Sequence, residues 1–258
     1  MSSYWLENKY YRLSVKNFVE EFAGWTALKE LMGYAPAGRD RAFLCACFST
    51  GGRVSEVLSL KAENFSIVHD ERLMLVRSMK LVKRYRKISE TLDAEGHKKW
   101  ITELKPSTRK PFPMLLSEPL TEIFYEYLQG KQGLLFPSPY LPGKPLSRFW
   151  AYKLVRWLDT LLPIPKDPKH PNPDDLRERL GLNKAFVKDG IKIADRIHLW
   201  LHWFRSQRAS QLVSDYGYEL LDLIDYFSWE KQDTALVYAR KGWRGLASKM
   251  KSVQVPYV

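Results

Sequence analysis

Tyr238 stands in the run WEKQDTALVYARKGW, and upstream lies HWFR, with His202 and Arg205. A tyrosine placed only for packing needs no cations beside it. A tyrosine that acts as a nucleophile does, because a free phenol with a pKa near ~10 is almost wholly protonated at neutral pH. Three further stretches carry side chains suited to such a centre. TGGRVSE at 50–56 sets Arg53 directly after a Gly-Gly break, where the glycines let the backbone turn tightly and a large ligand come close. HWFR sets His202 and Arg205 three apart, on one face if the run is helical. Trp229 lies nine residues before Tyr238. Each has a plainer reading alone: a solvated Arg at a helix start, a chance His-Arg pair, a core Trp, a half-buried Tyr.

These residues are far apart in sequence, so the elements between them must bring them together. Apolar positions at helical spacing predict a helix over 15–34, closed by Pro36 and Gly38. AFLCACFS predicts a strongly apolar helix from Asp40 to about Phe48, and a second helix opens near Val54 after the Ser-Thr-Gly-Gly break. ERLMLVRSMKLVKRYRKI reads as strand, and KPFPMLLS as its partner with the proline on an edge. The stretch between them is too long for a hairpin turn and reads as an insertion near 88–108 with a short helix of its own. Residues 117–129 and 146–162 predict amphipathic helices. A proline-rich connection near 163–175 opens a second insertion, to about 190, and helices are expected from Asp174 to about Met250. The fold class expected is α+β, mostly α, with a small antiparallel β-sheet at one edge.

Taken in order, TGGRVSE, HWFRSQRASQLV and WEKQDTALVY resemble the three motif boxes of the tyrosine recombinases, the phage-integrase family. The resemblance spans roughly residues 15–245. It implies a catalytic domain over 1–245. The separate N-terminal DNA-binding domain usual in the family is not seen, so the chain is expected to be either a catalytic fragment or a minimal recombinase whose insertions near 88–108 and 163–190 replace part of the DNA clamp. It also implies a tail at 246–258 that docks on a neighbouring protomer. Two departures stand out: Ser206 follows Arg205 where relatives often have His, and FSW precedes the third box.

The chemistry implied explains the residue types. A phosphodiester attacked by a phenol passes through a five-coordinate phosphorane with extra negative charge. Without a metal, the planar forks of Arg53 and Arg205 would carry that charge. His202 would hydrogen-bond the phosphate or assist proton transfer, and Trp229 would hold the phosphate by its indole N–H and by packing. A lysine must protonate the departing 5′-oxygen, and the family places it between two strands after the first box. Lys80 is preferred, then Lys83, with Lys110 third and Lys87 also in range. Glu56 would orient Arg53.

The composition suits a polyanionic partner: 41 Lys and Arg against 29 Asp and Glu give +12, with a pI near 9.5. Double-stranded DNA is the expected partner, with binding that weakens as salt rises, and a homotetramer on paired sites or a monomer without DNA. No cofactor and no metal are expected, although His198 and His202 fall four apart as in a zinc helix; Leu199 stands where a zinc helix would have Glu. Cys45 and Cys47 read as core thiols in a reducing cytoplasm. No apolar run reaches membrane length and no signal peptide is visible. The expected function is a site-specific recombinase that integrates or excises a mobile element through a 3′-phosphotyrosyl link. The alternatives are a type IB topoisomerase-like relaxing enzyme and an inactive DNA-binding relative.

Overall fold

Helices α1 (Trp25–Tyr34) and α2 (Arg39–Ser49) begin where glycines break the chain, Gly24 at φ +89° and Gly38 at φ +76°. In the computed structural model, residues 22–92, 98–163, 172, 174–182, 186–188, 191–194, 198–229, 232 and 235 are described, with backbone alone at 80–92, 98–108, 186–188 and 191–194. The run Ala42–Ser49 of α2 is buried at every residue, which is why its apolar residues show no polar face. Each large side chain there, such as Phe43, Leu44 and Phe48, contributes about 1.5–3 kcal/mol by leaving water. The thiols of Cys45 and Cys47 are free and buried in this helix, and burial pushes both well above the usual thiol range.

After the short α3 (Val54–Leu58), three strands form an antiparallel sheet in the order β1 (Phe65–Val68), β2 (Leu73–Val76), β5 (Phe112–Leu115). Phe65, Val76 and Phe112 stand in register, as do Met74 and Met114, and this face is buried. Pro113 sits on the edge strand, where a missing N–H costs no ladder bond. Between β2 and β5 the chain makes a separate antiparallel ribbon, β3 (Met79–Leu92) and β4 (Lys98–Arg109). Among the described residues of 88–108 the expected helix is therefore not formed. The β-branched residues Ile101, Thr102 and Thr108 favour an extended chain, and Ile101 and Thr102 pair with Lys87 and Arg86.

Helix α4 (Pro119–Leu128) starts with proline at its first turn, where the missing N–H is no loss. Helix α5 (Arg148–Leu161) is capped by Ser147, whose Oγ accepts from Trp150 N at 3.1 Å. These two match the amphipathic segments at 117–129 and 146–162. The region after 174 is less helical than expected: α6 is only Leu176–Arg179, and a hairpin of β6 (Phe186–Lys188) and β7 (Ile191–Ala194) follows. Helices α7 (Leu201–Ser214) and α8 (Leu220–Phe227) complete the described structure. Helix α2 packs against α4 and α7, so the molecule is mostly α with a small antiparallel sheet, the fold class read from the sequence. Among the described residues no helix is long and apolar enough to cross a membrane.

Candidate functional site

The site begins where α2 stops. Thr50 Oγ1 donates to Ala46 O at 2.6 Å and accepts from Gly52 N at 3.1 Å, turning the chain out of the helix. Gly51 has φ +55°, and a Cβ there would overlap the Phe227 ring; a Cβ on Gly52 would overlap Met79 and Val57. The two glycines thus admit the protein's own Phe227 and Met79.

A helix end leaves carbonyls without partners. Here three successive ones are taken by side chains from distant parts of the chain. Ser49 O accepts from the Tyr226 hydroxyl at 2.9 Å, Thr50 O from Arg109 Nη1 at 2.8 Å, and Gly51 O from Arg205 Nη1. Guanidinium groups at this end also oppose the negative pole of the helix. Arg109 Nε donates in addition to Tyr226 O at 2.5 Å, and its guanidinium lies 3.8 Å from the Phe112 ring centre. Burial first, and then repulsion from Arg205 and Arg208, lowers its pKa to about 9, so it remains charged at neutral pH.

This clamped turn delivers Arg53. Glu56 Oε2 accepts from Arg53 N at 2.7 Å while Oε1 accepts from Arg53 Nη1 at 2.8 Å, so one carboxylate caps α3 and holds the guanidinium. The same Glu56 lies 3.9 Å from Arg205 Nη1. Glu56 and Arg205 are buried, whereas the Arg53 side chain is 53% exposed. The Arg205 guanidinium sits 4.6 Å from the Phe227 ring and 5.5 Å from the Trp229 ring, and those rings stack on each other at 4.5 Å. Solvent therefore reaches Arg53 and leaves Arg205 covered at 2% exposure.

His202, on the first turn of α7, keeps an exposed edge. Packing of protein around the imidazole, and then the Arg205 and Arg53 guanidiniums, depress its pKa to about 4. Because the ring is partly open to water, the two cations carry this direction more surely than burial does. His202 is neutral at pH 7 and offers one donor and one acceptor. The unfolded chain takes up a proton near pH ~6.5 that the folded ring refuses, so this residue costs stability as pH falls from about 6.5 toward 4. We expect the His202 ring resonances in NMR to titrate near pH 4 and to move upward in Arg53→Gln. A midpoint at 6 or above in the wild type would contradict the placement.

Arg53, His202, Arg205 and Trp229 are thus brought to one place by α3, α7 and the end of α8. Tyr238 and the tail at 246–258 lie outside the described residues. Lys80 follows Met79 at the base of the ribbon, and Met79 touches both Arg109, at 3.6 Å to Sδ, and the space above Gly52. Lys83 lies three residues further along β3 and Lys87 seven, while the Lys110 Nζ is exposed and pairs with Asp225 at 2.6 Å. His198 precedes α7, and its Nδ1 lies 2.6 Å from Asp159 Oδ2, so it shares no helix face with His202. Among the described residues no cluster of three or more His, Cys, Asp or Glu could hold a metal.

Arg109, Tyr226 and Glu118 were not visible as site-building residues in the sequence. Arg109 ends a lysine-rich stretch that looks solvated, and nothing in its neighbours reveals a buried guanidinium. Glu118 accepts from Arg208 Nη1 at 2.6 and 2.7 Å, from Tyr216 at 2.7 Å and from Thr121 Oγ1 at 2.9 Å, which anchors α7 to α4.

No family model matches the chain, and no curated protein matches it. Among solved structures, it is similar to the XerH site-specific recombinase bound to difH substrate in a pre-cleavage complex, at 12% identity and TM-score 0.49, covering 92% of this chain and 54% of that one. It is also similar to the XerA recombinase, at 15% identity and TM-score 0.47, covering 91% and 64%. A third is the Tn1549 transposon integrase in complex with transposon right end DNA, at 13% identity and TM-score 0.43, covering 83% and 59%. The chain thus spans between about half and two thirds of the length of these proteins. At such identity none of these likenesses assigns a role to a residue.

Proposed function

We propose that this chain is the catalytic part of a tyrosine recombinase, an enzyme that breaks and rejoins DNA without metal or nucleotide cofactor. The observation that carries the reading is the meeting of Arg53, His202, Arg205 and Trp229 from segments up to 176 positions apart (53 to 229), with Glu56 shared by the two arginines. Tyr238 Oη attacks a DNA phosphorus. The bond from phosphorus to the 5′-oxygen breaks, and a 3′-phosphotyrosyl link forms. The 5′-oxygen takes its proton from Lys80, or from Lys83 next along the strand. The phenolic proton leaves toward His202, the neutral acceptor in the group. Attack by a partner 5′-hydroxyl then reverses these steps and reseals the strand. Arg53 meets the phosphate first, and Arg205 engages once Phe227 and Trp229 yield their cover.

In this reading the chain works on double-stranded DNA as a tetramer on paired sites, the 246–258 tail docks on a neighbouring protomer, and the biological use is integration or excision of a mobile element. The test is to incubate the protein with an end-labelled duplex nicked beside candidate cleavage positions, digest it, and map the attached residue by mass spectrometry. A nucleotide linked to Tyr238 through a 3′-phosphate is expected. No adduct, or one on another residue, overturns the reading. Joining to a second duplex, as opposed to relaxation of supercoils alone, separates a recombinase from a topoisomerase-like enzyme.

A further inference from the structure

Among the described residues the β3–β4 ribbon pairs only with itself, through ten successive residue pairs from Met79↔Arg109 to Ile88↔Trp100. At a rise of about 3.3 Å per residue it extends roughly 33 Å, close to one turn of a DNA duplex. Its base is fixed at the site: Met79 and Arg109 are both buried, and Arg109 holds the carbonyl of Thr50, three residues before Arg53. Between that base and the Ile88 pair, the two strands carry Lys80, Lys83, Arg84, Arg86, Lys87 and Lys105 against the single acid Glu103.

The register makes this charge unfavourable by itself. Lys83 stands directly opposite Lys105, an arrangement that destabilises a sheet when nothing lies between the charges. A two-stranded ribbon is marginal in water, and this one is charged on both faces: alternation sets Lys83, Lys87 and Lys105 on one side and Lys80, Arg84 and Arg86 on the other. A groove of B-form DNA resolves both problems. Its width admits a two-stranded ribbon, and its walls are two rows of phosphates.

We propose that the β3–β4 ribbon is a DNA-groove arm, lying along the duplex that flanks the phosphate held at Arg53 and Arg205. This rests on the proposed function only for the identity of the polyanion as duplex DNA. The test is the full chain carrying Lys83→Gln, Arg84→Gln, Arg86→Gln and Lys87→Gln, with its affinity for a ~40-base-pair duplex followed against salt. Each phosphate contact contributes about 0.9 to the slope of log affinity against log salt, so the slope should fall by roughly 3 to 4 with the melting temperature unchanged. An unchanged slope overturns the arm and leaves the charges as solvating groups, and an equal loss on single-stranded DNA of the same length overturns the groove. If the fourfold variant melts lower than wild type, Lys83→Gln with Lys87→Gln and Arg84→Gln with Arg86→Gln are read as separate pairs. Each pair should lower the slope by about 2; a fall in neither overturns the proposal. The adduct at Tyr238 is scored independently, on the wild-type chain, because Lys83 is itself a candidate proton donor. A slope change without adduct retains the arm and removes the enzyme reading, and an adduct without slope change does the reverse.

Discussion

Replacing Arg205 with alanine should slow single-turnover cleavage of a nicked duplex by roughly 10²–10³-fold, about 3–4 kcal/mol of transition-state stabilisation. On the proposed function the loss should fall on the rate and not on DNA affinity, because the extra charge that Arg205 would meet develops only as phosphorus becomes five-coordinate. Its burial makes each hydrogen bond it forms worth more than on the open surface. Arg205 also holds Gly51 O, so alanine loosens the turn that presents Arg53. Arg205→Lys separates the two roles: it keeps the charge but loses the planar fork. Cleavage by Arg205→Lys within threefold of wild type would mean that charge alone suffices. Cleavage by Arg205→Ala at the wild-type rate would remove Arg205 from the reaction.

The largest effect on stability is expected at Glu118. Its carboxylate is 3% exposed and faces the fully buried Arg208, with Gln211, Tyr216 and Thr121 completing the network. Burial first, and donation to Glu118 next, raise the Tyr216 phenol above its ordinary pKa, which keeps it a donor. Glu118→Ala leaves Arg208 buried without a counter-charge, at a cost of about 3–5 kcal/mol. For a chain of this size that corresponds to a fall in Tm of roughly 10 °C. The double variant Glu118→Leu with Arg208→Met should recover most of the loss, since the apolar pair leaves no buried charge. Removing the exposed Lys110–Asp225 pair should cost under about 1 kcal/mol, because water and salt screen it. Thermal denaturation of the three variants checks the ranking, and a Glu118→Ala protein as stable as wild type would refute it.

The parts of this fold that are legible in the sequence are those in which burial follows helical or strand alternation. The amphipathic segments at 117–129 and 146–162 became α4 and α5 almost residue for residue, and the apolar run after Asp40 became α2. Helix α7 shows the limit. Arg205, Ser206, Gln207, Arg208, Ser210 and Gln211 are all buried in it, so its polar residues face inward and periodicity carries no burial signal. They are tolerated because partners far along the chain satisfy them: Gln207 Oε1 accepts from Ala23 N at 2.8 Å, and Arg208 binds Glu118. Strand β4 was hidden for a related reason, since its ladder partner β3 decides its conformation and no local pattern names that partner. Arg53, His202, Arg205 and Trp229, which the structure brings near one another, were singled out by type and spacing, whereas the groups that position them were not. Arg109 and Tyr226 act through backbone carbonyls, and a carbonyl has no letter in the sequence.

The three clamped carbonyls also bear on how the protein comes into being. Ser49, Thr50 and Gly51 emerge from the ribosome early, while their donors Arg109, Arg205 and Tyr226 follow 59 to 177 residues later. A nascent chain halted before Arg205 has the helix, its glycine turn and the Glu56 carboxylate that holds Arg53, but lacks the donors that Ser49 O and Gly51 O accept from. The turn is therefore closed only after the segment through Tyr226 has been made, so its completion reports on long-range folding and not on helix formation alone.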